Sequence, residues 1–343
     1  MNQEKIIILG GAGFLGKAML RELFSDNPMV KTPRVTVFDC GPLDREWEER
    51  VTYVKGDIRD FTALADALRG ADTVFHLASV VDWGSLNKND VYGVNVTGTE
   101  NVIRACAEGG VRLLVYTGSL DAIYPGKPVI DGNESLPYPE KHPNMYCKSK
   151  ALAEQLVLAA DSRQLRTVAI RPAGIYGEGD PYHIGSLVTL AEKGPYVRIG
   201  DGSSKCMHVY VGNVAAAHLQ AAGSFFEGNT KHCGKVYFAL DSPGRNFFEF
   251  FDTILTAAGY KLPPPDKARI SCRLMYIIGS LAEFFAFLLK PFIKKQPKVS
   301  RFAVTYTCND FTLTSARAAE DFGYAPRYSE KEAFNRTVAY YIR

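Results

Sequence analysis

Residues 5–20, KIIILGGAGFLGKAML, decide the fold, because a short apolar run leads directly into a glycine-rich turn and then into a helical pattern. Gly10, Gly13 and Gly16 stand at three-residue intervals across this junction. Glycines at this spacing permit a tight turn, let the backbone approach a pyrophosphate, and let the helix pack closely on the strand. A glycine-rich turn can also merely connect a strand to a helix, but its place at the first strand–helix junction favours dinucleotide binding.

Apolar runs that are too short for helices alternate with segments of helical periodicity through the first half of the chain. The runs are continuously apolar, as expected for strands of a parallel sheet with both faces covered by helices. Predicted strands are 5–9, 34–39, 51–55, 73–76, 112–116 and 166–171. Predicted helices are 14–24, 61–68, 95–108 and 146–160. The pattern predicts an α/β, doubly wound parallel sheet of the Rossmann type.

After about residue 176 the alternation becomes irregular, with glycine and proline punctuation in YGEGDPYHIG, EKGPYVRIGDGSS and DSPGRNFFEF. We therefore predict a dinucleotide-binding core at 1–175, to which a strand and helix return from about 205–222. Residues 176–343 are predicted to form mainly a smaller substrate lobe over the carboxyl edge of the sheet. The substrate pocket is expected between the two lobes.

The composition favours a small-molecule partner. The 343 residues carry 40 basic and 37 acidic side chains, a net charge of +3, so no overall field would recruit nucleic acid. Seven cysteines are scattered and never spaced as CxxC, which argues against a disulfide framework and a zinc site and indicates a reducing compartment. The cysteine spacing leads us to expect no metal site, and no secretory signal is visible at the N-terminus, so we expect a cytoplasmic location.

Residues 274–293, LMYIIGSLAEFFAFLLKPFI, form an apolar segment whose charges are Glu283 and Lys290. Basic residues follow it: Lys294, Lys295, Lys298 and Arg301. A glutamate in the middle of the segment makes a bilayer crossing costly. A helix that lies peripherally on a membrane and a helix that covers an apolar pocket both remain open.

The predicted second strand ends at Asp39, twenty-three residues beyond Gly16. A carboxylate at this place accepts the ribose hydroxyls of the adenosine half, whereas a 2′-phosphate would meet a like charge. The following residues, CGP, supply no arginine for such a phosphate. The sequence therefore predicts NAD rather than NADP.

Other candidate ligands of the cofactor follow the third and fourth strands. Asp57 and Ile58 are placed to meet the adenine, and the small residues Ala78 and Ser79 stand where a ligand would lie at the sheet edge. His76, which ends the fourth strand, is interpreted as a hydrogen-bonded core residue in preference to a catalytic base.

The stretch PNMYCKSKAL at 143–152 places Tyr146 and Lys150 four apart, so both side chains share one helix face. A phenol has a pKa of about 10 and acts as a base near neutrality only where a cation stabilises the phenolate, which Lys150 is placed to do. Ser119, after the fifth strand, can donate to a substrate oxygen. Asn95, at the start of the preceding helix, can hold a water or a backbone group. A buried tyrosine beside a surface lysine is the alternative interpretation.

These motifs together resemble the extended short-chain dehydrogenase/reductases from about residue 6 to residue 222. GGAGFLG is similar to their GxxGxxG, YCKSK to their YxxxK, and RPAGIYGEGD to their RPxxxYGPGD; Asp39 and Ser119 match their NAD-selecting acid and active-site serine. The resemblance implies catalytic roles for Tyr146, Lys150, Ser119 and Asn95. It implies that these residues bind NAD: Gly10, Gly11, Gly13, Phe14, Leu15, Gly16, Asp39, Asp57, Ile58, Leu77, Ala78, Ser79, Thr117, Tyr146, Lys150 and Pro172.

Within that superfamily the chain most resembles the 3β-hydroxysteroid dehydrogenase/isomerase and sterol-4α-carboxylate 3-dehydrogenase branch. YGEGDPYHIGSLVTLAEKG, MHVYVGNVAAAHLQAA and the apolar segment near residue 280 carry this likeness. It implies reversible oxidation of a 3β-hydroxyl on a steroid or sterol-like substrate, with membrane contact in some members and homodimers in many. The chain departs from the superfamily at Leu9, where threonine is usual, and at Gly118, where serine is frequent.

Four other functions stay open at this point. A nucleotide-sugar epimerase uses the same tyrosine and lysine, but we find no arginine cluster for a diphosphate apart from the scattered Arg198 and Arg245. A sugar dehydratase is less favoured because Leu120 stands where a catalytic acid is expected. A long-chain β-hydroxy or β-keto acid oxidoreductase also suits the apolar segment. A non-catalytic NAD-sensing module usually lacks the tyrosine and lysine that are present here.

Overall fold

The computed structural model describes residues 4–26, 34–82, 87–241, 243–289 and 300–343. The strands are β1 Lys5–Leu9, β2 Arg34–Asp39, β3 Thr52–Lys55, β4 Thr73–His76, β5 Leu113–Thr117, β6 Val129–Gly132, β7 Arg166–Pro172, β8 Gly174–Tyr176, β9 Arg198–Ile199, β10 His208–Tyr210, β11 Lys235–Ala239, β12 Arg269–Ile270 and β13 Phe311–Leu313. The helices are α1 Phe14–Leu23, α2 Phe61–Leu68, α3 Lys88–Tyr92, α4 Gly98–Gly109, α5 Met145–Ala159, α6 Ile184–Lys193, α7 Val211–Phe226, α8 Phe247–Ala257, α9 Cys272–Leu289, α10 Arg301–Cys308, α11 Arg317–Phe322 and α12 Glu330–Tyr341. A π-helical turn, Gly93–Thr97, joins α3 to α4.

The main sheet has seven parallel strands in the order β11-β7-β5-β4-β1-β2-β3. The chain moves outward from β1 through β2 and β3 and then returns to place β4 on the other side of β1. A crevice forms at the carboxyl ends of β1 and β4 where this direction changes, which is where ligands bind in such sheets. The predicted α/β doubly wound fold is confirmed.

The continuous apolar run of β1 follows from burial on both of its faces. Ile6 and Ile8 belong to one hydrophobic core, and Ile7 and Leu9 belong to the other. Successive strand residues point to opposite faces, so a strand covered on both sides needs apolar residues at every position. Helices α1 and α7 pack together in the first core, and α2 and α4 pack together in the second.

The later part of the chain contributes more to the sheet than the sequence predicted. The predicted return at 205–222 corresponds to β10 and α7, but β11 then adds a seventh strand beside β7. Three two-stranded sheets, β8 with β10, β9 with β12 and β6 with β13, accompany it. The division into a core and a substrate lobe stays a prediction.

The expectation that the cysteines form no disulfide is wrong for one pair. Cys272 begins α9 and Cys308 ends α10, and the two form a disulfide with their Cα atoms 6.0 Å apart. Their 36-residue separation in sequence gave no sign of this pairing, which depends on how α9 and α10 pack. The other five cysteines are free thiols.

Helix α9 contains the described part of the predicted apolar segment, while residues 290–293 lie outside the described residues. Its Glu283 carboxylate accepts a 2.7 Å bond from Arg301 Nε, so the mid-segment charge is paired with α10. Large apolar side chains on α9 are exposed: Leu274, Tyr276, Ile277, Ile278, Leu281, Phe284, Phe285 and Leu288. Among the described helices, none has both the length and the apolar character to cross a bilayer.

Candidate active site

One cavity of about 740 Å³ opens at the carboxyl ends of β1, β2, β4, β5 and β7. Of the residues predicted to bind cofactor or substrate, all but two line it. Gly11 lies behind the loop, where an added Cβ would meet Val37 Cγ1 at 2.8 Å. Asn95 is buried one layer behind the cavity wall and holds the loop after β4.

The glycine loop has no room for side chains at two positions. Gly10 adopts a left-handed φ of +85°, and a Cβ there would lie 2.6 Å from the backbone nitrogen of Ala78. A Cβ on Gly16 would lie 2.4 Å from Gly11 Cα, so α1 packs directly on the loop. Helix α1 begins just after Gly13 with no acidic residue in its first turn, which leaves the positive end of its dipole for an anion. The cradle fits a pyrophosphate.

Asp39 joins the glycine loop to the turn after β2. Its Oδ2 accepts a 2.9 Å bond from the Ala12 N–H, and its Oδ1 accepts a 2.8 Å bond from the Gly41 N–H. Each carboxylate oxygen retains a further lone pair for a ribose hydroxyl. Lys17, a cation that sequence reasoning missed, also lines the cavity but is paired with Asp44 at 2.8 Å.

The two residues predicted to contact the adenine differ in how much of each side chain is free to contact a ligand. Asp57 forms an ion pair with Arg59 at 2.6 Å, which lowers the pKa of the Asp57 carboxyl and occupies its oxygens. Ile58 is buried and packs against α4, where a Cβ on Gly98 would meet it at 2.6 Å. Both residues still line the cavity.

Tyr146 and Lys150 lie on the first turns of α5, which Asn144 caps by accepting a 2.8 Å bond from the Cys147 N–H. Lys150 is 2% exposed, and its Nζ donates a 2.6 Å bond to the Thr117 carbonyl and lies 4.5 Å from the centre of the Tyr116 ring. Burial lowers the pKa of Lys150 to about 7, against the opposing charges of Glu154 and Asp121. The pair shares one face of the helix, as predicted.

Burial opposes the acidity that the sequence predicts for the Tyr146 phenol. Burial raises the pKa of Tyr146 well above its usual value, the charge of Asp121 raises it further, and a hydrogen bond to the Ser119 side chain lowers it. The phenol is so well covered that desolvation outweighs the hydrogen bond from Ser119, which acts in the opposite direction. The sequence pattern gave the neighbours of the phenol but not the depth of its burial.

Asn95 ties the loop after β4 to the helix that carries Tyr146. It lies in the π-helical turn before α4 rather than in the predicted helix itself. Its Oδ1 accepts from the Val80 N–H at 2.8 Å, and its Nδ2 donates to the Val80 carbonyl and to Ser149 Oγ, each at 3.0 Å. Of the two predicted roles, Asn95 therefore holds a backbone group.

His76 is a core residue, as interpreted from the sequence. Its Nε2 lies 2.9 Å from Thr99 Oγ1, and burial lowers the pKa of its imidazole to about 3. A ring that stays neutral at physiological pH in this position serves packing and hydrogen bonding.

Sequence reasoning missed Asp121, a carboxylate in the cavity wall. The chain makes a 3₁₀ turn over Leu120–Ile123, which buries Leu120 in the core and brings Asp121 back onto Ser119. Ser119 Oγ donates to Asp121 Oδ2 and accepts from the Asp121 N–H, both at 3.1 Å. Burial raises the pKa of Asp121 to about 6. A carboxylate two residues after the predicted serine was the available signal.

A buried ion pair beneath the site explains the departure at Gly118. Arg171 Nε donates to Glu154 Oε2 at 2.9 Å, and the Tyr138 hydroxyl donates to Glu154 Oε1 at 2.6 Å. A Cβ on Gly118 would lie 2.7 Å from Glu154 Oε2, so the serine that the superfamily resemblance leads us to expect has no room here. The other departure, Leu9, is fully buried in the core.

The wall of the cavity beyond Ser119 is formed mainly by apolar and aromatic residues: Val80, Val81, Leu120, Ile175, Tyr182, His183 and Tyr306. Neither arginine considered for a diphosphate lines the cavity. Arg198 pairs with Asp252 at 2.6 Å, and Arg245 forms an ion pair with Glu330. Among the described residues that line the cavity, the one arginine is Arg59, which is paired with Asp57.

Fold and site together define a dinucleotide-dependent oxidoreductase of the short-chain dehydrogenase/reductase class, with a glycine cradle, a ribose-facing carboxylate and a buried tyrosine–lysine pair. The sequence matches the model of the 3-beta hydroxysteroid dehydrogenase/isomerase family over residues 7–268, and the chain belongs to that family. The predicted family and the prediction of an NAD-dependent oxidoreductase acting on a CH–OH group are confirmed at this level.

Two relatives and one solved structure illustrate the likeness. Human 3 beta-hydroxysteroid dehydrogenase type 7 is 35% identical over 351 residues, which cover 97% of this chain and 94% of that protein. A 2-alkyl-3-oxoalkanoate reductase of Stenotrophomonas maltophilia is 34% identical, with 98% of each chain covered. A solved structure of MoeE5 in complex with UDP-glucuronic acid and NAD shares the fold at a TM-score of 0.72, with 20% identity and 98% of each chain covered.

Proposed function

We propose that the protein oxidises the 3β-hydroxyl of a steroid or sterol-like substrate to the ketone, reversibly and with NAD. The observation that carries the choice of substrate is the apolar and aromatic wall beside Ser119 and Tyr146. A rigid apolar ring system gains free energy by leaving water for such a wall, at roughly 25 cal/mol per Å² of buried apolar surface. The wall includes Tyr306 of α10, which also packs in the core.

The cofactor is proposed to lie with its pyrophosphate over Gly10, Gly13 and Gly16 and with its adenosine ribose on Asp39. Leu77, Ala78, Thr117 and Pro172 would border its nicotinamide half. NAD, when bound, supplies the hydride acceptor and, in its oxidised form, a positive charge. That charge supports ionisation of a phenol that burial alone keeps protonated.

The protein's own groups would manage the hydroxyl proton. Tyr146 accepts this proton in oxidation and returns it in ketone reduction. Lys150 holds the end of β5 through its bond to the Thr117 carbonyl and adds positive charge near the phenol. Ser119 positions the substrate oxygen, and Asn95 fixes the loop after β4 against α5.

A second candidate is a long-chain β-hydroxy or β-keto acid, because one relative is named a 2-alkyl-3-oxoalkanoate reductase. An acyl carboxylate needs a cationic or multiple-donor partner when it leaves water. Among the described residues of the wall beyond Ser119, none is an arginine or a lysine, which favours the neutral ring system. A nucleotide sugar is less favoured for the same reason.

A substrate comparison tests the proposal. Purified protein with NAD is offered dehydroepiandrosterone, UDP-glucose and 3-hydroxyhexadecanoic acid, and NADH is followed by its absorbance. We expect NADH to form with the steroid and with neither other compound. NADH formation with the hydroxy acid alone would transfer the assignment to the second candidate.

We further propose that α9 rests on an anionic membrane surface. Phe284 and Phe285 are each 55% exposed on this helix, and Leu274 is 51% exposed. Lys290, Lys294, Lys295 and Lys298 follow it in the sequence and suit anionic headgroups. Apolar side chains that insert beside basic ones are typical of helices that lie in the interface.

Flotation with phosphatidylserine-containing liposomes tests this contact. The intact protein should float, and the double variant Phe284→Glu, Phe285→Glu should remain at the bottom. A matched control is the double variant Tyr340→Glu, Ile342→Glu. These two residues lie outside α9 and are 60% and 67% exposed. Equal flotation of all three proteins would exclude the helix as the contact. Concentration-dependent self-association lost in the α9 variant would assign the surface to a second copy instead.

A further inference from the structure

Thr117, the last residue of β5, is held by side chains from two different helices. Its Oγ1 lies 2.8 Å from Nε2 of His218 on α7. Its backbone carbonyl accepts a 2.6 Å bond from Nζ of Lys150 on α5. Thr117 also lines the cavity. One residue of the cavity wall is therefore fixed through its hydroxyl as well as through its carbonyl.

The second ring nitrogen of His218 shows which group donates to which. Nδ1 lies 2.8 Å from the carbonyl oxygen of Val214, one turn earlier on α7. A carbonyl oxygen can only accept, so Nδ1 carries the proton of the neutral ring. The other nitrogen of a neutral imidazole is an acceptor. The Thr117 hydroxyl therefore donates its proton to His218 Nε2.

The surroundings of His218 keep its ring neutral, which preserves this direction of donation. The side chain is fully buried in the protein. Burial lowers the pKa of the imidazole to about 4, although the bond to the Val214 carbonyl acts in the opposite direction. The nearby charge of Lys150 also disfavours a second positive charge. Near neutral pH, His218 Nε2 thus remains an acceptor.

The Thr117 hydroxyl is left as an acceptor for any ligand in the cavity. A hydroxyl has one proton to donate and two lone pairs that accept. Because the proton of Thr117 is directed at His218, its oxygen can receive a hydrogen bond from an N–H or O–H group but cannot give one. The nicotinamide half of NAD carries such donors in its carboxamide and in its ribose hydroxyls.

We propose that His218 is a positioning residue, which fixes the Thr117 hydroxyl as an acceptor for an N–H or O–H donor on the nicotinamide half of NAD. This inference rests on the cofactor placement proposed above. A hydroxyl that is already oriented receives a donor without losing rotational freedom on binding. His218 itself is not among the residues that line the cavity, so it acts through Thr117.

Two single variants and their combination test whether His218 acts through Thr117. NADH binding is measured by isothermal titration calorimetry. Thr117→Val removes the acceptor and should raise the NADH dissociation constant about tenfold. His218→Phe removes the group that orients it and should raise this constant about fivefold. In the double variant, His218→Phe should add no loss to that of Thr117→Val, because the group through which it acts is gone. A structural disturbance of α7 would persist in the double variant.

A conservative variant and a matched control separate the hydrogen bond from the loss of a buried ring. His218→Gln retains a side-chain acceptor and donor, so it should recover most of the binding that His218→Phe loses. His232→Phe removes another fully buried imidazole, whose Nε2 lies 2.9 Å from the Ala221 carbonyl oxygen. This control should bind NADH as the unaltered protein does.

A cofactor analogue identifies the donor. The 3-acetylpyridine analogue of oxidised NAD lacks the carboxamide N–H group but retains the ribose hydroxyls. A loss in Thr117→Val that occurs with oxidised NAD and not with the analogue would support the proposal with the carboxamide as the donor. An equal loss with both compounds would support it with a ribose hydroxyl as the donor.

Nitrogen NMR of the unaltered protein tests the inference without any change in folding. With its imidazole rings isotopically labelled, the protein should show His218 as the neutral Nδ1–H tautomer at neutral pH, and this signal should be missing in His218→Gln. The Nε2–H tautomer or a charged ring would overturn the inference.

The binding results distinguish this inference from the proposal on which it rests. Unchanged NADH binding in Thr117→Val would overturn the placement of the nicotinamide half beside Thr117, and this inference with it. Weaker binding in Thr117→Val together with unaltered binding in His218→Phe would overturn the role of His218 alone. A loss in His218→Phe that glutamine does not recover, or that adds fully to the loss in Thr117→Val, would do the same.

Discussion

Lys150 Nζ donates a 2.6 Å hydrogen bond to the Thr117 carbonyl, which ties the helix carrying Tyr146 to the end of β5. The lysine is almost fully buried, and burial lowers the pKa of its ammonium to about 7. In the unfolded chain a lysine has a pKa of about 10.4, so the unfolded chain binds more protons between pH 7 and about pH 10. The free energy of unfolding should therefore rise with pH across this window.

Replacement of Lys150 by methionine should remove that rise, because the group that titrates is gone. Urea unfolding at pH 6.5 and pH 9.5 of both proteins isolates the lysine's contribution from that of other groups. Turnover of the steroid should fall by at least about 100-fold in the variant. An equal pH dependence of stability in the two proteins would contradict the buried, partly neutral ammonium.

Replacement of Asp39 by asparagine should weaken the preference for NAD. The carboxylate bonds the Ala12 and Gly41 N–H groups, and asparagine retains one acceptor oxygen while losing the charge that repels a 2′-phosphate. We expect the ratio of NADPH to NADH dissociation constants to fall by about tenfold. This corresponds to a change of roughly 1.4 kcal/mol in the difference between the two binding free energies. Fluorescence titration with both cofactors measures this ratio. The control is Asp66→Asn, the same change at an exposed carboxylate on α2. An unchanged ratio would remove Asp39 from cofactor selection.

Introduction of serine at Gly118 should destabilise the protein, although the superfamily resemblance leads us to expect serine there. Its Cβ would lie 2.7 Å from Glu154 Oε2 and 3.1 Å from Arg171 Cγ, within a buried ion pair. Overpacking of this kind costs about 1–3 kcal/mol. The control is Gly223→Ser on α7, where a Cβ has no described atom within 4 Å. Urea unfolding should show the larger loss for Gly118→Ser; equal losses would count against the steric reason.

The Cys272–Cys308 disulfide should contribute to stability by closing a loop across α9 and α10. For a 36-residue separation, the loss of chain entropy in the unfolded state predicts that the disulfide adds about 3–4 kcal/mol to the free energy of unfolding. The double variant Cys272→Ser, Cys308→Ser should unfold at lower urea concentration, and reduction of the unaltered protein should reproduce its midpoint. Cys40→Ser, at an exposed free thiol, should not shift the midpoint. A midpoint that is insensitive both to reduction and to the double replacement would show that the bond does not form in solution.

The fold was predictable because local signals agreed with it. The runs that became β1 and β5 are apolar at nearly every position, as a strand covered on both faces requires. Strand β11 was not predicted because its five residues, KVYFA, lie in an irregular region where strands and helices do not alternate as they do in the first half of the chain. Its place beside β7 is a long-range pairing that no local pattern encodes.

The site was predictable in its residues but not in its electrostatics. The spacing of Tyr146 and Lys150 placed both on one helix face, and the glycine loop and Asp39 followed from the cofactor's chemistry. Asp121 was missed because a 3₁₀ turn, not sequence spacing, returns its side chain to Ser119. The raised pKa of Tyr146 likewise depends on how completely the surrounding chain covers it. Burial depends on contacts with residues that are distant in the sequence, so a short motif does not predict it.

The role of Tyr146 as the proton-transfer group is tested most directly by the variant Tyr146→Phe, which removes one oxygen atom from a buried ring. NADH binding is measured by fluorescence, and oxidation of dehydroepiandrosterone is measured by NADH absorbance in the same preparations. We predict an unchanged NADH dissociation constant and a turnover lower by at least about 100-fold. Turnover within about twofold of the unaltered protein, with binding intact, would contradict the account.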